Sequence, residues 1–225
     1  GFSPDVTSYD YDAPINEAGH VTPKYMELRE MLAGYSDKKL PSIPKEFPVI
    51  NVSKIQFTEV APLFENLPAP HALNQGWGSI LYRTKIPAVP TQSVLTVTDA
   101  HDFAQVFING KLIGSIDRRN HEKTMLLPAM KEGDQLDILV EAMGRINFGR
   151  AIKDFKGITE KVELSYTMNT GSQVTVNLKN WQIYTLSDSY QVQKDMKYVP
   201  LKDQKVPGCY RATFNLKKTG DTFLN

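Results

Sequence analysis

Between residues 49 and 187 apolar and polar positions alternate with the two-residue period of strands that bury one face. Ten segments carry the pattern: 49–57, 78–85, 93–99, 103–108, 111–116, 123–127, 135–142, 161–166, 174–178 and 181–186. The turns between them have their own signatures. Asn109-Gly110 is a two-residue hairpin signal, because a type I′ turn needs positive φ at both central residues. Asn169-Thr170-Gly171-Ser172 reads as a second hairpin turn and Gly133-Asp134 as a corner. Many short strands at this spacing predict a β-sandwich or jelly roll. Residues 143–158 carry Gly144, Gly149 and Gly157 with little periodicity, and are expected to form a long ordered loop.

The period changes upstream. Residues 1–35 read as a strand, a loop and a helix. Thr22 suits an N-cap, Pro23 suits the first helical position and Gly34 suits the stop. Tyr25, Leu28 and Leu32, widened by Met31, make one apolar helix face. So short a unit cannot bury a core alone and is expected to dock onto something. Residues 36–48, with Pro41, Pro44 and Pro48 among lysines, suit a stiff linker. A weak repeat relates Tyr82-Arg83-Thr84-Lys85-Ile86 to Tyr210-Arg211-Ala212-Thr213-Phe214. It predicts a second sandwich beginning near residue 205. The whole reads as a piece of a larger enzyme.

Composition narrows the function classes. Hydrophobic residues are 41% and charged residues 23%, as in ordinary globular proteins. A net charge of +1 gives no electrostatic reason to expect nucleic acid or an anionic membrane. The apolar runs are strand-length, too short to span a bilayer. The single cysteine, Cys209, excludes an internal disulfide and a CxxC metal site.

Candidate chemistry is sparse. If 9–12 is extended, Tyr9 and Tyr11 share one face and Asp10 and Asp12 the other. Two aromatic rings with hydroxyl tips suit a sugar, packing on its C–H face and hydrogen-bonding its polar groups. They also suit an amphipathic wall. Glycosidases need two carboxyl groups flanking the scissile bond, about 5 Å apart for retention and about 6.5–9.5 Å for inversion. Neighbours on one strand cannot flank a bond from opposite sides, so Asp10 and Asp12 are read as supports that fix the loop. His20, His71, His101 and His121 are far apart in sequence, with no partner at ligand spacing, and His101-Asp102 reads as a turn. No metal or cofactor is expected. There is no GxSxG nucleophile signature. Arg145, Asn147, Phe148 and Arg150 fit a loop that braces a domain interface, or one that lines a cleft. Trp77, Trp181 and Tyr184 would be sugar platforms were the sandwich itself a carbohydrate-binding module. Burial of the tryptophans would weaken that reading, and an open groove holding both would strengthen it.

Several segments together resemble a known family. Thr7-Ser8-Tyr9-Asp10-Tyr11-Asp12-Ala13-Pro14, Glu17-Ala18-Gly19 and Thr22-Pro23-Lys24-Tyr25 look like the end of the catalytic barrel of family 35 glycoside hydrolases, the retaining β-galactosidases. Gly76-Trp77-Gly78 through Thr84, Asp102 through Gly110, Leu139 through Gly149 and Asp154-Phe155-Lys156-Gly157-Ile158 resemble that family's first β-domain. Tyr210 through Phe214 with Gly220-Asp221-Thr222-Phe223-Leu224 is similar to the start of its second, galactose-binding-like β-domain. The resemblance implies a mainly β chain: a terminal (β/α)8 barrel segment at 1–35, a linker at 36–48, a jelly-roll sandwich at 49–190 and the start of a second sandwich at 191–225. It implies a parent that hydrolyses terminal β-linked galactose, with β-galactosides and the catalytic barrel as partners, in a secreted, periplasmic or lysosomal setting. Both catalytic glutamates sit on earlier barrel strands in the family, so no catalytic residue is expected in this chain. Tyr9 and Tyr11 match pocket-lining aromatic positions, and Asp10 and Asp12 match loop-supporting ones.

Overall fold

A computed structural model of the chain describes residues 11–70, 75–202 and 206–222. Its contacts divide it into two units: Thr58–Arg211, and a smaller one that includes 11–57 and 212–222.

The larger unit is a two-sheet sandwich. Its strands are β1 (Glu59–Pro62), β2 (Gly78–Lys85), β3 (Ser93–Val97), β4 (Ala100–His101), β5 (Phe103–Ile108), β6 (Lys111–Asp117), β7 (Thr124–Leu127), β8 (Gln135–Ala142), β9 (Gly157–Ile158), β10 (Val162–Thr167), β11 (Gln173–Asn177), β12 (Gln182–Leu186), β13 (Val199–Pro200) and β14 (Gly208–Arg211). One sheet runs β12-β2-β8-β5-β6 and faces a second, β11-β10-β3-β7, with every pairing antiparallel. The alternation read from the sequence becomes the packing. In β3, Ser93, Leu95 and Val97 point in while Val94 and Thr96 are half-buried. Leu95, Val97, Val162 and Leu164 meet Val106, Ile116, Ile138 and Val140 in one apolar core. Nine of the ten predicted strands form within two residues of their expected bounds.

The five-stranded sheet is buried on both faces. On its far side Leu81 and Phe107 are fully covered, and Phe64 packs edge-on against Phe107 with ring centroids 5.3 Å apart. That side also carries the Arg83–Asp137 pair, directly opposite across β2 and β8, with Arg83 Nε donating to Asp137 Oδ1 at 2.6 Å. The guanidinium lies over the Phe64 and Tyr184 rings. The short repeat has a physical counterpart here. In the separate sheet β13-β1-β14, Arg211 stands opposite Glu59, donates to its carboxylate at 2.8 Å and lies over the Tyr198 ring.

Two expectations need correction. Residues 49–57 form no strand. Among the described residues, their only ladder contact is a parallel bridge from Val49 to Asp221, so the alternating side chains have no sheet to join. The helix α1 (Pro23–Ala33) forms where expected, but the Thr22 hydroxyl does not cap it. That hydroxyl donates instead to the carbonyls of Ala13 and Pro14, tying the preceding hairpin to the helix start. None of the α1 side chains is buried; Leu28, Met31 and Leu32 are exposed. The turn chemistry is as read: Asn109 and Gly110 both have positive φ, joining Ile108 to Lys111.

Gly157 sits where no side chain fits. Its φ is +90°, and a Cβ there would lie 2.4 Å from Tyr82 Oη, the oxygen that accepts from Ile158 N. Replacing Gly157 by Ala should lower unfolding free energy by about 2 kcal/mol or more in denaturant titration, through clash and backbone strain. Unchanged stability would show that the Tyr82 contact yields freely.

Candidate functional site

Sequence and geometry diverge on where the polar chemistry lies. Of the expected sugar-binding residues, Tyr9, and with it Asp10, lies outside the described residues. Tyr11 is exposed. Asp12 adopts a left-handed φ of 57°, so the segment is not a continuous strand at that residue. Lys24 Nζ donates to the Asp12 carbonyl at 3.0 Å and to Oδ2 at 3.1 Å, joining the loop to the first turn of α1. The pair is solvent-exposed, where such contacts are worth about 1 kcal/mol or less.

The densest buried charge lies at one end of the sandwich. Asp102, between β4 and β5, is fully buried, and Asp154 nearly so. Arg118, just after β6, donates from Nη1 to Asp102 Oδ1 at 2.6 Å and from Nη2 to Asp154 Oδ1 at 2.8 Å. Lys156 Nζ donates to Asp102 Oδ2 at 2.5 Å, to Asp154 Oδ2 at 2.8 Å and to Gly144 O at 2.8 Å. All three ammonium hydrogens are therefore satisfied. This matters because charges removed from water cost several kcal/mol each unless their partners are complete. Gly144 opens the loop that follows β8 and Asp154 closes it. One buried ammonium thus holds both ends of the loop.

His101 extends the cluster. Its Nε2 lies 2.8 Å from Asp99 Oδ1, and its Nδ1 lies 2.5 Å from Phe155 O and 3.3 Å from Asp154 Oδ1. Burial alone would raise the Asp154 carboxyl. Hydrogen bonds from Arg118 and Lys156 outweigh it and hold the group at about 2. Asp99 is also held below the usual carboxylate range, burial being outweighed by Thr159 and His101. His101-Asp102 is therefore more than a turn, and the sequence pattern did not single out the acids at 102 and 154 as a cluster. The available signal was Asp154-Phe155-Lys156, two charges around an aromatic in a glycine-flanked loop.

The same loop shows its apolar residues to solvent. Phe148, Ile152 and Phe155 are exposed, as is Trp77 at the start of the adjoining β2. Arg145 links these segments by donating to the Gly76 carbonyl, and Gly78 pairs with Ala142 at the neighbouring ladder end. The tryptophans do not share a groove. Trp77 lies by Asp188, beyond the Leu186 end of β12, whereas Trp181 precedes the opposite end. Trp181 packs against the core, edge-on to Tyr82, and Tyr184 is buried. A hollow of about 440 Å³ beside Trp181 contains Glu160 as its one lining carboxylate. Another, of about 640 Å³ beside α1, has exposed Glu30 and Asp37 on its walls with Arg29, Lys38 and Lys39. Among the described residues no cluster of acids, histidines or cysteine fits a metal ion. No described helix is long and apolar enough to cross a membrane.

Residues 69–187 match the family described as beta-galactosidase, first all-beta domain, and residues 1–35 match glycosyl hydrolases family 35. The chain belongs to the family 35 β-galactosidases. It is 30% identical over 234 residues to the beta-galactosidase of Xanthomonas manihotis, covering 100% of this chain and 37% of the relative. It is 33% identical over 203 residues to the beta-galactosidase of Bos taurus, covering 82% and 29%. With the beta-galactosidase-1-like protein 3 of Rattus norvegicus it shares 32% identity over 244 residues, covering 98% and 36%. The chain thus spans about a third of the length of these relatives. The buried cluster and its loop lie within the family's first all-beta domain.

Asp154 also sets an acid limit. Its carboxyl is depressed in the fold from 3.8 to about 2, so its contribution is complete above the unfolded value and is lost as pH falls through the folded one. Thermal unfolding between about pH 4 and pH 2 should show a loss that includes about 2 kcal/mol from this group. Asp154→Asn should be less stable at neutral pH and decline less steeply across that range. An equally steep decline in the variant would contradict the assignment.

Proposed function

We propose that this chain is a non-catalytic part of a retaining β-galactosidase, acting as scaffold and interface for the family's catalytic barrel. The observation that carries the reading is a loop that buries an ion pair and exposes large apolar side chains. Residues 143–156 turn Asp154 and Lys156 inward and Phe148, Ile152 and Phe155 outward. A face with several large apolar groups exposed together is one that another surface covers. Trp77 and Arg145 continue that face, and the family 35 barrel is its occupant in this reading. Tyr9 and Tyr11 line one wall of the galactose pocket in the assembled enzyme. Asp10 and Asp12 support that wall, with Asp12 held by Lys24. The two catalytic glutamates come from barrel strands outside this chain, and the substrate is a terminal β-linked galactoside.

Hydrolysis through an oxocarbenium-like transition state needs two carboxyl groups placed around one bond. Asp102 and Asp154 do not offer this, because Arg118 and Lys156 occupy the space between them. A carbohydrate-binding module is the weaker reading. Its tryptophan platforms stand at opposite ends of the β2–β12 ladder, and Trp181 packs against the core.

The purified 225-residue chain should release no chromophore from a nitrophenyl β-galactoside above the buffer rate. Turnover that saturates with substrate and survives repurification would overturn the non-catalytic assignment.

A further inference from the structure

Strand β11 is an outer edge of the four-stranded sheet, and among the described residues its ladder partner is β10 alone. The register fixes which of its backbone groups β10 uses. Met168 N donates to Ser172 O at one end of this hairpin, and Leu178 N donates to Val162 O at the other. Between them the pairing is continuous, from Thr167 opposite Gln173 to Glu163 opposite Asn177. Hydrogen-bonded pairs recur at every second residue of an antiparallel ladder, so Val174 and Val176 direct their N–H and C=O to β10. Gln173, Thr175 and Asn177 direct theirs away from the sheet, where no other described residue pairs with them. Exposed edges are ordinarily blocked by charge, proline or a bulge. In this sandwich β7 lies between Lys123 and Pro128, and β6 carries Lys111 and an extra residue, Ile113, in its ladder. At the Leu186 end of β12 the Gln75 side chain reaches the backbone carbonyl. Residues 173–177 have no charge and no proline.

We propose that β11 pairs with β11 of a second copy of this chain, antiparallel about a two-fold axis at Thr175, so that two four-stranded sheets become one. The strand is its own complement. Gln173-Val174-Thr175-Val176-Asn177 shows the same order of side-chain classes from either end, which is what a two-fold contact requires. With the axis at Thr175, that residue exchanges both backbone hydrogen bonds with Thr175 of the second copy. Gln173 does the same with Asn177 of the second copy, so every outward N–H and C=O of the three residues is paired. Val174 comes opposite Val176 on the core face. Both are half-buried within one copy, and the cross-strand contact covers them further. On the other face threonine meets threonine and amide meets amide. In the same register Lys179 falls opposite Gly171, so no like charges oppose. One short strand buries little surface, which places the dimer among weak, small interfaces. None of these residues belongs to the apolar loop face, and the pairing does not depend on the β-galactosidase reading.

Sedimentation of the 225-residue chain, from about 10 μM to about 500 μM, should show a mass that rises from 25.3 kDa toward twice that value. Thr175→Pro removes an N–H that β10 does not use, so the ladder within one copy survives while association weakens about ten-fold or more. Thr175→Lys sets like charges across the axis and should also weaken it. In a Cys209→Ser background, Thr175→Cys should give a disulfide-linked dimer on mild oxidation, since facing residues lie about 5.5 Å apart. Gln173→Cys should not, because its two copies are offset by about 14 Å. In the native chain the Gln173, Thr175 and Asn177 amides should exchange about three-fold more slowly at the upper concentration, while those of Val174 and Val176 do not change. A chain that stays monomeric throughout would overturn the proposal. So would a dimer that leaves those three amides unprotected, or a Gln173→Cys link as complete as that of Thr175→Cys. Should a variant not fold, sedimentation and exchange of the native chain still decide.

Discussion

The ammonium of Lys156 is the point on which this end of the sandwich depends. It reaches the carbonyl that opens the 143–156 loop, the carboxylate near its close and the buried Asp102 between β4 and β5. A lysine this deeply placed is tolerated only because every donor has a partner. The loop's remaining polar side chains, Arg145, Asn147, Arg150 and Lys153, are exposed beside its aromatic residues. Phe148, Ile152 and Phe155 are exposed while Asp154 and Lys156 of the same loop are held in the cluster.

The rest of the sandwich gives that arrangement a rigid base. Asp102 and Glu141 are joined by a backbone hydrogen bond where β5 runs beside β8, and Arg118 returns its own N–H to the Asp102 carbonyl. The apolar core between the two sheets fixes the strands that flank Asp102. One end of the β-domain thus buries its charge in a fully partnered cluster.

Much of the fold was legible because it follows from local rules. Ser93 through Val97 alternates cleanly and becomes a strand with one buried face. Asn109-Gly110 specifies its hairpin by backbone conformation alone. The family resemblance was legible in the segment from Leu139 to Gly149 and in Asp154 through Ile158, and both lie in the stretch that matches the first all-beta domain. Long-range partners were hidden. Residues 49–57 alternate as well as any strand, yet no periodicity in one segment reports whether a neighbour is present to pair with it. The charge cluster was hidden for the same reason: Asp102, Arg118 and Lys156 are 16 and 38 residues apart along the chain, and only the folded sheets bring them together. Thr22 looked like a cap because its type is right for one; its hydroxyl instead serves the hairpin carbonyls of residues far back in the loop.

A double-mutant cycle between Asp102 and Lys156 probes the buried pair most directly. Asp102→Asn, Lys156→Met and the combination would be compared by chemical denaturation at neutral pH. Each single change removes one partner from a buried charge that keeps another, Asp154 for Lys156 and Arg118 for Asp102, so the account predicts that the double variant is more stable than the sum of the two losses, by about 1 kcal/mol or more. Losses that simply add, within about 0.5 kcal/mol, would mean that the two groups do not depend on each other, and the loop would need another explanation.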